Sequence, residues 1–321
     1  MAYQFASGET EAAALRRCAR EQLDVAISQL EDGLRSDPVT AVHEARKALK
    51  MERSLLRLGR GALGSSARRG LNARLREAGR RLSGARDSEV MGQALDRLAE
   101  HYAGQLPKPT WDAIRARLDE EAQSSRARLI GSGLTGEVVE ELRALQREVE
   151  QWRLRGDRWS AIEPGLRREY ARGRRALRRA EGRRTVESLH EWRKRAKDLW
   201  YHLRLLEPAS PGILGGYAKE AHRLSELLGD DHDLAVLRDK LLGPGAGIAA
   251  DLESVLTLID HRRDQLQAEA LVLGARLYAE QPKAFVKRMR RYAQSWRAQA
   301  RLEQAAEPVR LRGRTAATSV T

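Results

Sequence analysis

Residues 189–206 read LHEWRKRAKDLWYHLRLL, and at about 100° per residue they separate into two faces. His190, Arg193, Lys194, Lys197, Tyr201 and Arg204 fall in one narrow stripe, while Trp192, Ala196, Leu199, Leu203 and Leu206 crowd the opposite side. A helix of this kind buries its apolar back and turns a cationic edge toward water or an anion. The pattern recurs at residues 42–58, VHEARKALKMERSLLRL, where His43, Arg46, Lys47, Lys50, Arg53 and Arg57 share a side and Ala45, Ala48, Leu49 and Leu56 lie across from them. A helix written twice predicts an internal repeat and two related halves.

The remainder of the chain supports an all-α fold. Leu, Ala, Arg and Glu dominate, Phe occurs twice and alternating β-branched runs are absent. The 59 basic residues exceed the 45 acidic ones and leave a net charge of +14, which points to a polyanionic partner. To be useful the excess has to be concentrated, and the two stripes concentrate it. The single cysteine, Cys18, excludes a disulfide framework. The first nine residues are polar and read as no signal peptide, and no run approaches the roughly 20 apolar residues of a membrane span. A cytoplasmic protein that contacts no membrane is the expectation.

Along the chain, residues 10–35 predict a first helix with Thr10 as its cap and Leu15, Cys18, Ala19, Leu23, Ala26, Ile27 and Leu30 inward. Asp37 and Pro38 then suit the cap and first position of the helix that carries His43. Leu71, Leu75, Ala78 and Leu82 mark another helix, and residues 86–89, RDSE, read as the start of the next. Residues 111–130 and 136–155 form a helical hairpin that closes a first half, 1–157. The GSGLTG between them, at 131–136, matches a dinucleotide fingerprint but lacks the preceding strand such a site requires, and so reads as a turn.

The second half, 158–305, opens with an Arg-rich helix whose narrow seam is Leu166, Tyr170 and Leu177. Most of its arginines read as a solvated face; Arg174 and Arg178, beside the seam, are the two placed to reach a groove. Thr185 caps the His190 helix, which breaks at 208–211. A helix at 212–228 follows, and Gly229-Asp230-Asp231-His232-Asp233 echoes the earlier start signal. After a loop at 243–247 two further helices close this half, and 306–321 read as a disordered basic tail.

If the stripes face each other across a shared groove, their like charges repel and an anion is implied. Arginine forks, mobile lysines and histidine N–H groups suit phosphate oxygens. A lone His43 would read as a packing histidine; its recurrence as His190 with the same neighbours favours a site. Trp192 lies on the apolar back and reads as core, Trp200 borders the stripe, and the Asp230–Asp233 acids read as helix-start residues ahead of metal ligands.

Both HxxRK helices, each followed by a basic helix and an RD or HD signal, resemble the CHAD domain, the conserved histidine α-helical domain, over roughly residues 12–299. The resemblance implies two pseudo-symmetric helical bundles around a central basic cavity that binds inorganic polyphosphate, in some members on polyphosphate granules. By position it assigns that role to His43, Arg46, Lys47, Lys50 and Arg53, and to His190, Arg193, Lys194 and Lys197; Lys219 and Arg223, with Arg76 and Arg80 opposite, would extend the cavity wall. Trp200-Tyr201 and Asp231-His232-Asp233 depart from the family's usual residues at those places.

The expected function is non-enzymatic binding of inorganic polyphosphate, with no cofactor, no metal and no catalytic residue. A nucleic-acid binder is the first rival, disfavoured because only 5% of residues are aromatic and most lie on apolar faces. A metal-dependent phosphate-processing enzyme is the second, disfavoured because such chemistry uses carboxylate-held metal and neither stripe contains a carboxylate.

Overall fold

The computed structural model describes residues 3–131, 133–156, 158–243 and 251–316, with backbone only at 84–88, 126, 128–131 and 307–316. Among the described residues there are eleven helices of two turns or more and no strand.

The first, α1 (Glu11–Ser28), starts where the Thr10 hydroxyl accepts from the Ala13 N–H at 3.2 Å. It runs on through a π turn, Gln29–Gly33, to Ser36, and its expected inward residues are all buried. Asp37 then restarts the chain as α2 (Pro38–Leu58), its carboxylate accepting from the N–H groups of Val39 and Thr40 at 3.1 and 3.2 Å. Pro38 in the first turn misses no hydrogen bond there. A 3-10 turn, Gly59–Gly61, leads to α3 (Ser65–Arg81) and α4 (Gly84–His101). The latter begins ahead of the start signal expected at 86–89, where the side chains of 86–88 lie outside those described. α5 (Lys108–Gly131) and α6 (Leu134–Glu150) follow, joined by a turn with Gly133 at φ 64°. They do not pair as the expected hairpin, because α5 packs on α4 while α6 packs on α1 and α3.

α7 (Glu163–Gly182) follows, with Leu166, Tyr170 and Leu177 buried as its seam. α8 (Val186–Leu206) is opened by a capping box in which Thr185 and Ser188 satisfy each other's backbone N–H groups. α2 and α8 have the same length, 21 residues. α9 (Pro211–Leu241) corrects the expected pair of elements: it runs unbroken through Gly229–Asp233, so those acids sit mid-helix instead of starting one. α10 (Leu252–Leu277) and α11 (Pro282–Ala316) complete the chain. The loop expected at 243–247 falls, apart from Gly243, outside the described residues. The backbone of α11 is described to Ala316, and the rest of the tail expected at 306–321 lies outside the described residues.

The buried apolar side chains form one contiguous cluster from Tyr3 to Ala293. Within it α2 packs on α1, α7 and α8, and α8 packs also on α7 and α9; α9 in turn meets α4 and α10. Gly165 lets the first turn of α7 rest directly on the end of α2, where any Cβ would collide with the carbonyl oxygens of Leu58 and Arg57. Two links, one buried and one partly buried, join α2 to α8. His202, 1% exposed, places Nε2 3.1 Å from the Ser54 carbonyl oxygen and 3.2 Å from its hydroxyl. The Arg57 guanidinium donates twice to Asp198, at 2.7 and 3.0 Å.

Candidate functional site

Those links hold the charged faces of α2 and α8 against one cleft. It comprises two cavities, of about 650 and 250 Å³, that share Lys50, Arg193, Lys197 and Tyr201 in their walls. His43, Lys47 and Lys50 enter the larger from α2, at intervals of four and three residues that keep them on one helix face. Arg193, Lys197, Trp200 and Tyr201 face them from α8. The smaller cavity adds Arg53 and Arg57 from α2, and His190 and Lys194 from α8. Nine of the anticipated basic residues thus come together in one groove.

The remaining six stand elsewhere. Arg46 donates to the carbonyl oxygens of Ser83 at 3.2 Å and Leu82 at 3.5 Å, satisfying the end of α3. Arg76 is exposed on α3, and Arg80, also exposed, pairs with Glu77 on its own helix. Arg204 lies over the Trp200 ring at 5.7 Å. Lys219 is exposed, and Arg223 pairs with Glu269 of α10. On α9 the groove wall is instead His222, Ser225, Glu226, Gly229, Asp230 and Asp233, and α4 contributes Val90, Gln93 and Arg97. Arg174 and Arg178 of α7 line neither cavity; Arg174 donates to Gln281 at 2.6 Å and Arg178 is exposed.

The walls are not purely cationic, which corrects the expectation of no carboxylate. Asp198, on α8, is 2% exposed and lines the smaller cavity, where it also lies 3.0 Å from Arg195. Arg195 in turn reaches the buried Glu169 of α7 at 2.7 Å. Burial alone would raise the Asp198 pKa; Arg57 and Arg195 outweigh it and hold the carboxyl below its ordinary value. Asp198 therefore neutralises Arg57, while Glu44 pairs with Lys47 and Glu191 with Lys194.

Other cations are less fully matched. Arg53 donates through Nε to the neutral amide of Asn72 at 3.1 Å. Burial, then Arg57 and Arg76, push its pKa down to about 10, so it remains charged at neutral pH. The Nε of Arg193 is buried with no hydrogen-bond partner among the described residues, and so are the Nδ1 atoms of His190 and His232. These two imidazoles lie 4.5 Å apart between centroids, their planes inclined by 36°. Burial, then Lys194 and Arg193, lower the His190 pKa; burial, then Arg193 and His190, push His232 down to about 4. Both are neutral donors at pH 7, poised beside cations. An unsatisfied buried donor costs about 1–3 kcal/mol, and an anion in the groove would reach Arg193 and His190, which line it.

His222 enters the wall without having been indicated by the basic pattern, and His232, outside both cavity linings, backs His190. Trp200 stands in the wall, 4.0 Å from His222 and 4.7 Å from Tyr201 between ring centroids. Trp192 is 0% exposed and belongs to the core. The Asp230–Asp233 cluster disperses: Asp231 binds Arg263 and Gln267, Asp230 lies 3.3 Å from Arg97, and Asp233 is 3.9 Å from Arg193. Among the described residues no three His, Cys, Asp or Glu side chains gather as ligands for a metal ion, and no helix is long and apolar enough to cross a membrane.

A family model described as the CHAD domain matches residues 17–242, a span that holds α2, α4, α8 and α9, the four helices that wall the groove. Comparison with curated proteins finds no match.

Proposed function

The chain belongs to the CHAD domain family, and on that premise we propose that the groove between α2 and α8 binds inorganic polyphosphate without chemical turnover. The observation that carries the reading is the sharing of one cleft by Lys50 and Arg53 of one stripe with His190, Arg193 and Lys197 of the other. Neither Arg53 nor the buried Nε of Arg193 has a carboxylate at hydrogen-bond distance among the described residues. A chain of phosphates offers a charge per unit and oxygens on every side, so it can meet donors from both walls at once. In this reading the two helices are equivalent parts of halves 1–157 and 158–305, and the groove is the central basic cavity between two pseudo-symmetric bundles. The equal lengths of α2 and α8 support that. A protein of the cytoplasm, attached to polyphosphate granules, fits the same reading.

Titration of polyphosphate at several salt concentrations is the test. Counterion release predicts that log affinity falls with log salt by about 0.7 per phosphate neutralised, if single-strand behaviour transfers. Salt-independent binding would contradict the proposal. Single-stranded RNA or DNA displacing polyphosphate at equal phosphate concentration would favour a nucleic-acid binder, for which Trp200 and Tyr201 stand among the described residues of the wall. Release of orthophosphate in the presence of magnesium or manganese would make the protein an enzyme.

A further inference from the structure

A second gathering of guanidinium groups lies beyond the far end of α2. Arg60, in the turn that closes α2, and Arg167, Arg168 and Arg175 of α7 line a cavity of about 600 Å³ whose described walls include one carboxylate, Glu163. Arg68, in the first turn of α3, stands beside Arg60 and Arg168, and its buried Nε has no hydrogen-bond partner among the described residues. The nearby Glu169 lies 3.9 Å from the Arg168 Nε but accepts hydrogen bonds from Arg195 at 2.7 Å and from Arg172 at 3.2 Å, so its charge is shared among three guanidinium groups. α7 begins at this cavity, its N-cap Ile162 offering no side-chain acceptor, so the positive end of a 20-residue helix adds to the same field.

We propose that this arginine cluster is a second phosphoryl-binding site, holding the continuation of a polyphosphate chain whose other stretch lies in the groove. The proposal rests on the reading of the groove given above. Two rows of side chains join the sites. Along α2 and the 3-10 turn that closes it, Arg53 and Arg57 line the groove and Arg60 lines the second cavity, three residues or about 5 Å of rise beyond Arg57. Along α3, Arg76, Asn72 and Arg68 follow at four-residue intervals; Asn72 holds Arg53, and Arg68 neighbours Arg60 and Arg168. Planar forks take phosphate oxygens in pairs. Among the described residues no aromatic ring lines the second cavity, so those walls offer bases no stacking platform and favour an inorganic chain over nucleic acid.

Calorimetric titration of the full-length protein with tripolyphosphate counts the sites. Wild type is expected to take two equivalents, R60Q/R168Q one and K50Q/K197Q one. With long-chain polyphosphate, R60Q/R168Q should bind about tenfold more weakly or worse, since hydrogen bonds to charged groups are worth about 1.5–3 kcal/mol each. Its log–log salt slope should fall by about 1.4, at roughly 0.7 for each phosphate that the two glutamines leave unneutralised. Stoichiometry and slope that stay at their wild-type values in R60Q/R168Q overturn the second site. A K50Q/K197Q protein that keeps both equivalents overturns the groove reading, and the arginine site then stands if R60Q/R168Q loses one equivalent and falls if it keeps both. Should R60Q/R168Q melt below wild type, R167Q/R175Q, at two exposed positions, is expected to show the same reduced slope, and an unchanged slope there overturns the proposal.

Discussion

Replacing Asp198 by asparagine should separate what holds the groove together from what fills it. Asp198 is 2% exposed, accepts from Arg57 of α2 at 2.7 and 3.0 Å and lies 3.0 Å from Arg195. Arg195 is itself 6% exposed. The amide keeps the shape and removes the charge, leaving Arg57 with a neutral partner in a poorly solvated place, while Arg195 keeps Glu169 at 2.7 Å and Glu191 at 3.2 Å. Breaking a buried pair in this way costs about 3–5 kcal/mol. The folded carboxyl has a pKa below its unfolded value, so its contribution is complete above about pH 4 and is lost as pH falls through the lower folded value. Urea unfolding at pH 7 therefore reads the whole effect, as a lower midpoint with an unchanged slope. Polyphosphate binding should respond oppositely, because the substitution removes an anion from the wall: the folded variant is expected to bind as tightly as wild type or more so. A stability loss below about 1 kcal/mol would contradict the buried-pair argument, and weaker binding by the folded variant would contradict the role of Asp198 as a counter-charge.

Further outcomes follow from other sites. Gly165→Ala should destabilise the protein by about 1–3 kcal/mol or more, read by thermal unfolding, because its Cβ meets backbone carbonyls of α2 that cannot step aside. Acidification should weaken the empty protein between about pH 6.5 and pH 4, because His190 and His232 take up protons less readily folded than unfolded. A bound polyanion favours their imidazolium forms, so polyphosphate affinity should rise on acidification over the same window, measurable by titration at successive pH values. Trp200 fluorescence should change on polyphosphate binding, and Trp200→Phe should abolish that change, since Trp200 stands in the groove wall while Trp192 is enclosed in the core.

Much of the fold was legible because its signals are local. Asp37, Pro38 and Thr185 mark helix starts through hydrogen bonds that span two or three residues, and the apolar seams of α1, α2, α7 and α8 follow from helical period alone. The stripe residues were legible for the same reason, yet a stripe several turns long faces more than one neighbour. Arg46 shares the angle of Lys50 but sits opposite the end of α3, whose carbonyls claim it. On α9 the residue that enters the groove is His222, whereas the adjacent Arg223 faces α10. Gly229–Asp233 looked like a helix start because aspartates cap well; mid-helix, Asp231 is satisfied by Arg263 and Gln267 of α10, a partnership no local pattern encodes. Asp198 escaped notice similarly: its place on the helix circle says little until Arg57 arrives from 141 residues away.

The most direct test of the central claim is polyphosphate binding by the K50E/K197E double variant at low salt. Lys50 and Lys197 reach the shared part of the groove from α2 and α8, so reversing both should abolish binding there while the helical content and the unfolding midpoint stay close to wild type. Wild-type affinity and an unchanged salt dependence in that variant would contradict the account.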